Sequence, residues 1–304
     1  MNRQADAVKN LYLEWAAARK ANPQMSLDEQ RDMIERWPVV AAEPRGIDYI
    51  ETEVGGVPAL WAAPKGCAED RVVLCAHGGG FMTGSMYSHR KFFGHLAKAI
   101  GCRALISDYR RSPEHAFPAA LDDMVAAYRW LLDQGLEANH IALAGDSSGG
   151  GLILASQLRA RDVGLPMPAA SLPISPWLDM AVTGESIASN FGKDALFTKE
   201  MIQGLARALL GDADPRDPFA SPLYADLSGF APVYIQVGGD EMIRDDSVRI
   251  AERAKKAGVD VRLDVFPGQQ HTFQMAAGRA PLADEAIRRM ADWVRPKLGL
   301  TDRA

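Results

Sequence analysis

Short apolar segments typical of buried strands alternate with helix-like segments through most of this chain. Parallel strands need a crossover of a dozen or more residues, usually a helix, and their sheet is buried on both faces. The alternation therefore predicts an α/β fold with a mostly parallel central sheet flanked by helices. The expected strands cover residues 72–76, 104–107, 141–144, 170–174, 233–237 and 261–266, and the expected helices cover 119–132, 148–161, 246–257 and 283–298.

Three other regions frame this alternation. Residues 4–20 place Trp15 and other apolar residues at helical spacing, and Ser26 with Glu29 is typical of the start of a second helix. Strand-like segments on either side of Gly55-Gly56 predict a hairpin. The alternation pauses between about residues 177 and 232, around a helical segment at 199–210, which indicates an insertion.

Composition narrows the class of protein. A chain of 304 residues, 47% hydrophobic and 24% charged, is suited to one large catalytic domain. Its net charge of -5 gives no reason to expect nucleic acid or an anionic membrane as a partner. The three cysteines predict neither a disulfide framework nor a metal site. The N-terminal segment has no apolar span long enough to cross a bilayer, so we expect no membrane span and a cytoplasmic location.

The segment Gly145-Asp146-Ser147-Ser148-Gly149 fits the pattern G-x-S-x-G. It lies where the predicted strand 141–144 must turn into the helix that follows. A sharp turn of this kind projects a serine hydroxyl away from the backbone, and the glycines let strand and helix approach closely. We therefore expect Ser147 to be a catalytic nucleophile.

A serine nucleophile needs a base and an acid that orients it, and in α/β hydrolases these follow in the order Ser, Asp or Glu, His. His271 is the only one of the six histidines after Ser147, which makes it the expected base. Asp240 directly follows the strand 233–237 and Gly238-Gly239, so it is the expected acid. Its rivals are Glu241, one residue further into the loop, and Asp245 and Asp246, which are typical of a helix start.

A triple-glycine loop supplies the fourth part of the expected site. His77-Gly78-Gly79-Gly80-Phe81 follows the strand 72–76 and matches the HGGG-type loop of lipases and esterases. Backbone N–H groups exposed by such glycines stabilise the oxyanion of a tetrahedral intermediate, together with the N–H of Ser148. His77 is expected to hold the loop in place and not to act as a second base.

With these motifs, the chain resembles the hormone-sensitive-lipase-like esterases of the α/β-hydrolase superfamily, in the bacterial branch with G-D-S-A-G elbows. The resemblance also includes residues 108–120, similar to D-Y-R-L-A-P-E-H-P-F-P-A-A, and Ser175-Pro176-Trp177-Leu178-Asp179. The chain has Ser148 where the family usually has Ala, and Asp240-Glu241-Met242 in place of D-P-L. The resemblance implies a triad of Ser147, Asp240 and His271, with an oxyanion hole formed by Gly79, Gly80 and Ser148.

The same resemblance implies a sheet of about eight strands and a helical cap over an acyl pocket. The expected divisions are N-terminal cap helices at 1–45, a catalytic domain at 46–178 and 213–304, and a cap insertion at 179–212. It also implies a homodimer formed through the edge strand near 261–266 and the last helix, which would cover an exposed edge. Candidate pocket residues are Trp15, Phe81, Met86, Phe191 and Leu205.

The expected reaction is two-step acyl transfer on a small-molecule ester with short to medium acyl chains, with no metal and no other cofactor. A lactone hydrolase, an amidase and an esterase for acetylated sugars use the same chemistry and remain open. A non-catalytic ligand receptor of the same fold, similar to the plant gibberellin receptors, is disfavoured because His271 is present.

Overall fold

The computed structural model describes residues 6–300, and its central feature is a mostly parallel sheet. In this part of the chain the sheet has eight strands in the order β1-β2-β4-β3-β5-β6-β7-β8. Strand β2 runs antiparallel to both of its neighbours, and the other pairs are parallel. The predicted α/β-hydrolase fold is confirmed. The strands are β1 (Ile47–Val54), β2 (Val57–Pro64), β3 (Ala68–Ala76), β4 (Cys102–Ser107), β5 (Ile141–Asp146), β6 (Ala170–Ile174), β7 (Val233–Gly238) and β8 (Val261–Phe266).

Helices cover both faces of the sheet. The predicted start of the second helix is confirmed, because Ser26 Oγ accepts from Glu29 N–H and the Glu29 carboxylate accepts from Ser26 N–H. Helix α3 has no counterpart among the predicted segments. The helices are α1 (Ala7–Ala21), α2 (Leu27–Ile34), α3 (Met86–Ile100), α4 (Ala119–Asp133), α5 (Ser148–Asp162), α6 (Ser186–Ser189), α7 (Lys199–Leu210), α8 (Arg244–Lys256) and α9 (Pro281–Val294).

The core lies in two layers because successive residues of a strand face opposite sides of the sheet. In β3, Val73 and Cys75 pack in the layer that holds α3 and α9, whereas Val72 and Leu74 pack in the layer that holds α4 and α5. All four side chains are fully buried. Across the described residues, no helix is both long and apolar enough to cross a membrane.

The strand register brings the functional loops to one edge of the sheet. Ala76 of β3 pairs with Gly145 of β5, and Gly238 of β7 pairs with Phe266 of β8. The loops that follow these strands therefore begin side by side at the carboxyl edge, where ligands of open α/β sheets bind. Residues 175–232, between β6 and β7, contain α6 and α7.

Candidate active site

Ser147 occupies a strained turn between β5 and α5. Its backbone has φ 55° and ψ -122°, a combination that residues other than glycine rarely adopt. A Cβ atom on Gly149 would lie 2.1 Å from the carbonyl oxygen of Ala76, and one on Gly145 would lie 2.4 Å from the carbonyl oxygen of Gly149. Both glycines are therefore required by close backbone contacts, and the turn holds Ser147 at the end of the sheet.

His271 lies in the loop after β8, and its partner is Glu241. The Nδ1–H group of His271 donates to Glu241 Oε2 at 2.8 Å, and both side chains are fully buried. The prediction that Asp240 orients His271 is therefore wrong. The neighbouring residue, which was the nearest rival in sequence, makes this contact.

The turn after β7 explains why the acid is one residue later than predicted. The N–H of Asp240 donates to the carbonyl oxygen of Gln269 at 3.1 Å, and its side chain remains partly exposed. The chain reverses over Gly239 and Asp240, so that Glu241 returns over the end of β7. There the Gly238 N–H donates to Glu241 Oε1. A glutamate has one more methylene group than an aspartate and reaches His271 from this position.

Several polar groups hold the Glu241 side chain and its loop. The hydroxyl of Ser175 donates to Glu241 Oε1 at 2.6 Å and accepts from Thr272 N–H at 3.2 Å. The side-chain amide of Asn190 donates to the carbonyl oxygen of Glu241 at 2.8 Å, and Asp194 Oδ2 accepts from Met242 N–H at 2.8 Å. Ser175, directly after β6, thus holds the carboxylate, whereas Asn190 and Asp194 hold the backbone of its loop.

The environment of His271 suits a base that becomes charged during a reaction. Burial lowers the pKa of His271, but the charge and hydrogen bond of Glu241 outweigh burial, and the pKa is raised above its ordinary value. Its Nε2 atom is buried and has no hydrogen-bond partner in the described part of the chain. Tyr12 Oη donates to the carbonyl oxygen of His271 at 2.9 Å, and the Phe197 ring packs edge-on against the imidazole. One ring nitrogen is therefore fixed, and the other is available.

Gly79 and Gly80 lie beside Ser147 in the wall of a cavity. Their φ angles are 127° and 64°. Within residues 6–300 neither backbone N–H group donates a hydrogen bond. A Cβ atom on Gly79 would lie 2.1 Å from the carbonyl oxygen of Thr83, so the tight loop requires glycine there. Ser148 is the first residue of α5, where N–H groups have no partner within the helix.

Side chains beneath the glycine loop keep its shape. Asp146 Oδ1 accepts from Gly78 N–H at 3.0 Å, and Asp146 Oδ2 lies 3.3 Å from His89 Nε2. Ser148 Oγ accepts from Phe81 N–H at 3.3 Å, so its side chain also supports the loop, beyond the backbone role expected for it. Burial holds the pKa of His77 well below its ordinary value, which agrees with a neutral supporting residue.

The main cavity at the site has a volume of about 560 Å³ and is lined by both Ser147 and His271. Two of the predicted pocket residues, Trp15 and Leu205, line it. Residues that were not predicted also contribute, above all from α1, α2 and the segment before α7. These additional residues are Arg19, Gln30, Met33, Ile34, Trp37, Met82, Thr83, Leu196, Phe197 and Met201.

Three predicted pocket residues do not line this cavity. Phe81 turns into the core between the rings of Tyr109 and Trp177. Met86, the first residue of α3, packs in the layer of α3 and α9. Phe191, two residues after the end of α6, is 72% exposed on the surface. An apolar residue type alone did not distinguish a pocket wall from core or surface.

A second, smaller chamber of about 220 Å³ adjoins Ser147. It shares Gly80, Ser147, Phe197 and Leu205 with the main cavity, but His271 does not line it. Its remaining walls are the apolar side chains of Trp177, Ile202 and Ile243. Ser147 thus lies between two chambers, and the imidazole of His271 lines only the larger one.

Comparison with known proteins agrees with this arrangement. A family model described as alpha/beta hydrolase fold matches residues 73–275. An acetyl-hydrolase of Streptomyces hygroscopicus is 39% identical over 246 residues, which are 81% of this chain and 82% of that protein. An ethyl acetate hydrolase of Pseudomonas putida is 33% identical over 71% of this chain and 70% of its own length. The solved structure of an esterase from the bacterial hormone-sensitive lipase family superposes with a TM-score of 0.94 and 41% identity, over 98% of this chain and 99% of that one.

Proposed function

Because this chain belongs to the hormone-sensitive-lipase-like branch of the α/β-hydrolase family and is a carboxylic ester hydrolase, we propose that Ser147, His271 and Glu241 form its catalytic triad. The observation that carries the proposal is the buried Glu241–His271 hydrogen bond of 2.8 Å beside a cavity that both His271 and Ser147 line. Asp240, the acid expected from sequence, has no part in it.

The proposed reaction has two steps. His271 Nε2 takes the proton of the Ser147 hydroxyl while the serine oxygen attacks the ester carbonyl carbon, and Glu241 stabilises the imidazolium that forms. Collapse of the tetrahedral intermediate breaks the bond to the alcohol, which leaves with the proton from His271. Water, deprotonated by His271, then attacks the acyl-serine, and the bond to the Ser147 oxygen breaks as that oxygen takes the proton back from His271 and the acid is released. The N–H groups of Gly79, Gly80 and Ser148 are the proposed donors to the oxyanion in both steps.

We infer the roles of the two chambers from the position of His271. Because His271 must give its proton to the leaving alcohol, the alcohol portion belongs in the 560 Å³ cavity that the imidazole lines. The acyl portion then enters the 220 Å³ chamber, which is apolar and lacks the imidazole. The small size of this chamber favours short acyl groups, the lower part of the short- to medium-chain range expected from sequence.

The acetyl-hydrolase and the ethyl acetate hydrolase among the relatives support a short acyl group, since their names specify acetyl esters. Lactones, amides and acetylated sugars remain candidate substrates of the same site. The helices α1, α2 and α7 supply walls of the cavity, which supports the proposed cap formed by residues 1–45 and 179–212 on a catalytic domain of 46–178 and 213–304. Residues 1–5 and 301–304 of these divisions lie outside the described part of the chain. A homodimer through β8 and α9 likewise stays a proposal.

The test is a substitution of the nucleophile combined with covalent labelling. Ser147→Ala is expected to lower the rate of p-nitrophenyl acetate hydrolysis on the order of 10⁵-fold or more, because no other group replaces the serine oxygen. An organophosphate is expected to label the wild-type protein stoichiometrically at Ser147 and to leave the variant unlabelled. Circular dichroism checks that the variant is folded. Activity within tenfold of wild type in the variant, or absence of labelling in the wild type, would overturn the triad.

A further inference from the structure

Arg19 places a cation in the wall of the alcohol-side cavity. It lies in the last turn of α1 and is partly buried. The rest of that wall is mostly apolar or neutral, and in the described part of the chain Arg19 and His271 are its only titratable side chains. Because a guanidinium group stays protonated in proteins, Arg19 brings a permanent positive charge to the cavity.

Within residues 6–300, this charge has no carboxylate partner. The one hydrogen bond of the Arg19 side chain goes from Nη2 to the carbonyl oxygen of Leu196 at 3.5 Å, the limit of such a bond. Two other partly buried arginines do have carboxylate partners: Arg31 lies 2.7 Å from Glu114, and Arg249 lies 3.0 Å from Asp179. Burial also lowers the pKa of Arg19, with no neighbouring negative charge to oppose it.

An unpaired, partly desolvated guanidinium is a strong site for an anion. It presents five N–H donors, and its hydrogen bonds to a carboxylate are about twice as strong as bonds between neutral groups. The structural contact of Arg19, with the carbonyl oxygen of Leu196, uses only one of these donors. The Arg19 side chain lines the cavity in which the leaving alcohol is proposed to lie.

We propose that Arg19 selects esters whose alcohol portion carries a negatively charged group, such as a carboxylate, over their neutral counterparts. This inference rests on the proposed esterase function and on the assignment of the larger cavity to the alcohol. The acyl chamber lacks any charged side chain in its described lining, so a charge on the acyl side is not favoured. The substrate class is therefore a short acyl ester of a hydroxy acid.

The test compares acetate esters that differ in one charge. The substrates are 4-acetoxybenzoate and its 3-isomer, each paired with its methyl ester, and kcat/KM is measured for wild type and Arg19→Gln. Dividing the anionic-to-neutral ratio of wild type by that of the variant removes the intrinsic reactivity of each ester. We expect this quotient to be about tenfold or more for at least one isomer. Arg19→Lys is expected to keep part of the preference, since it retains a point charge without the planar fork.

Arg36→Gln is the matched control. It removes the same charge from a nearby turn, but its side chain is 61% exposed and does not line the cavity. Its quotient is expected to be close to one. If Arg19→Gln lowers kcat/KM equally for charged and neutral esters, or changes neither, Arg19 has only a structural role and the inference is overturned.

A measurement on the wild type alone protects the test against misfolding of the variants. 4-Hydroxybenzoate is expected to inhibit hydrolysis of phenyl acetate more strongly than methyl 4-hydroxybenzoate, and added salt is expected to reduce this difference. Equal inhibition by the two alcohols would contradict the inference. Normal hydrolysis of phenyl acetate without any anion preference refutes only the role of Arg19, whereas hydrolysis that survives Ser147→Ala refutes the proposed function.

Discussion

Glu241 Oε2 accepts the Nδ1–H of His271 at 2.8 Å, while Glu241 Oε1 accepts from the hydroxyl of Ser175 and the N–H of Gly238. Both oxygens of the carboxylate are therefore occupied by donors. A carboxylate bound in this way is held in one orientation, which fixes the imidazole with Nε2 as the proton acceptor.

Glu241→Gln is expected to lower kcat for p-nitrophenyl acetate on the order of 10⁴-fold, because the amide no longer stabilises the imidazolium or selects its tautomer. Asp240→Asn is the matched control, since it removes the adjacent carboxylate and is expected to change kcat by only a few fold. Steady-state kinetics on both purified variants measures the contrast. If Asp240→Asn is the more damaging substitution, the structural assignment of the acid is wrong.

The dependence of kcat/KM on pH should report His271. His271 acts as a base only when it is neutral, so activity falls as the pH drops through its pKa. Because Glu241 raises this pKa above the ordinary value of 6.5, the acid limb of the profile is expected to have its midpoint above 6.5. In Glu241→Gln the residual activity should show a midpoint at lower pH. Profiles between pH 5 and pH 9 test this, and an identical midpoint in both proteins would contradict the coupling.

The small chamber predicts a preference among acyl chains. For p-nitrophenyl esters, kcat/KM is expected to be highest for acetate to butyrate and to fall for hexanoate and octanoate. Ile202→Ala removes part of the chamber wall, and we expect it to raise the octanoate-to-acetate ratio about tenfold or more. Leu209→Ala is the control, because Leu209 is also buried on α7 but lines neither chamber. An equal change in both variants would indicate general loosening of α7.

Gly79→Ala tests the glycine loop. The new Cβ atom would lie 2.1 Å from the carbonyl oxygen of Thr83, so the loop must shift and displace its N–H donors. Loss of one such donor costs about 10²- to 10³-fold in kcat. Gly229→Ala is the control, since its φ of 76° is also positive but its nearest atom would be 4.0 Å away. The control is expected to lower the melting temperature modestly and to leave kcat within a few fold.

The site features that the sequence predicts correctly are those for which the fold imposes a chain order or a close backbone contact. Gly145 and Gly149 mark the turn at Ser147 because any side chain there would collide with backbone. His271 is the one histidine downstream of that turn, and the structure places it in the same cavity. These features depend on chain order and local sterics, which a sequence contains directly.

Features that depend on the path of a loop were not predictable in the same way. Asp240 and Glu241 are adjacent carboxylates, and only the reversal over Gly239 decides which one faces His271. Phe191 and Trp15 are both aromatic, yet one is 72% exposed and the other is 1% exposed. The only sequence signal for Glu241 is its extra methylene group, which lets a carboxylate one residue further from the strand still reach His271.

Helix α1 both contacts the proposed base, His271, and forms part of the cavity wall. Tyr12 donates to the carbonyl oxygen of His271, while Trp15, one turn further along α1, lines the space where substrate is proposed to bind. Lifting this helix to widen the entrance would break a contact with the backbone of the residue that moves the proton. In the opened form His271 would lose the contact that positions it for proton transfer. Proteolytic removal of α1 is therefore expected to inactivate the protein and not merely to broaden the range of esters it accepts.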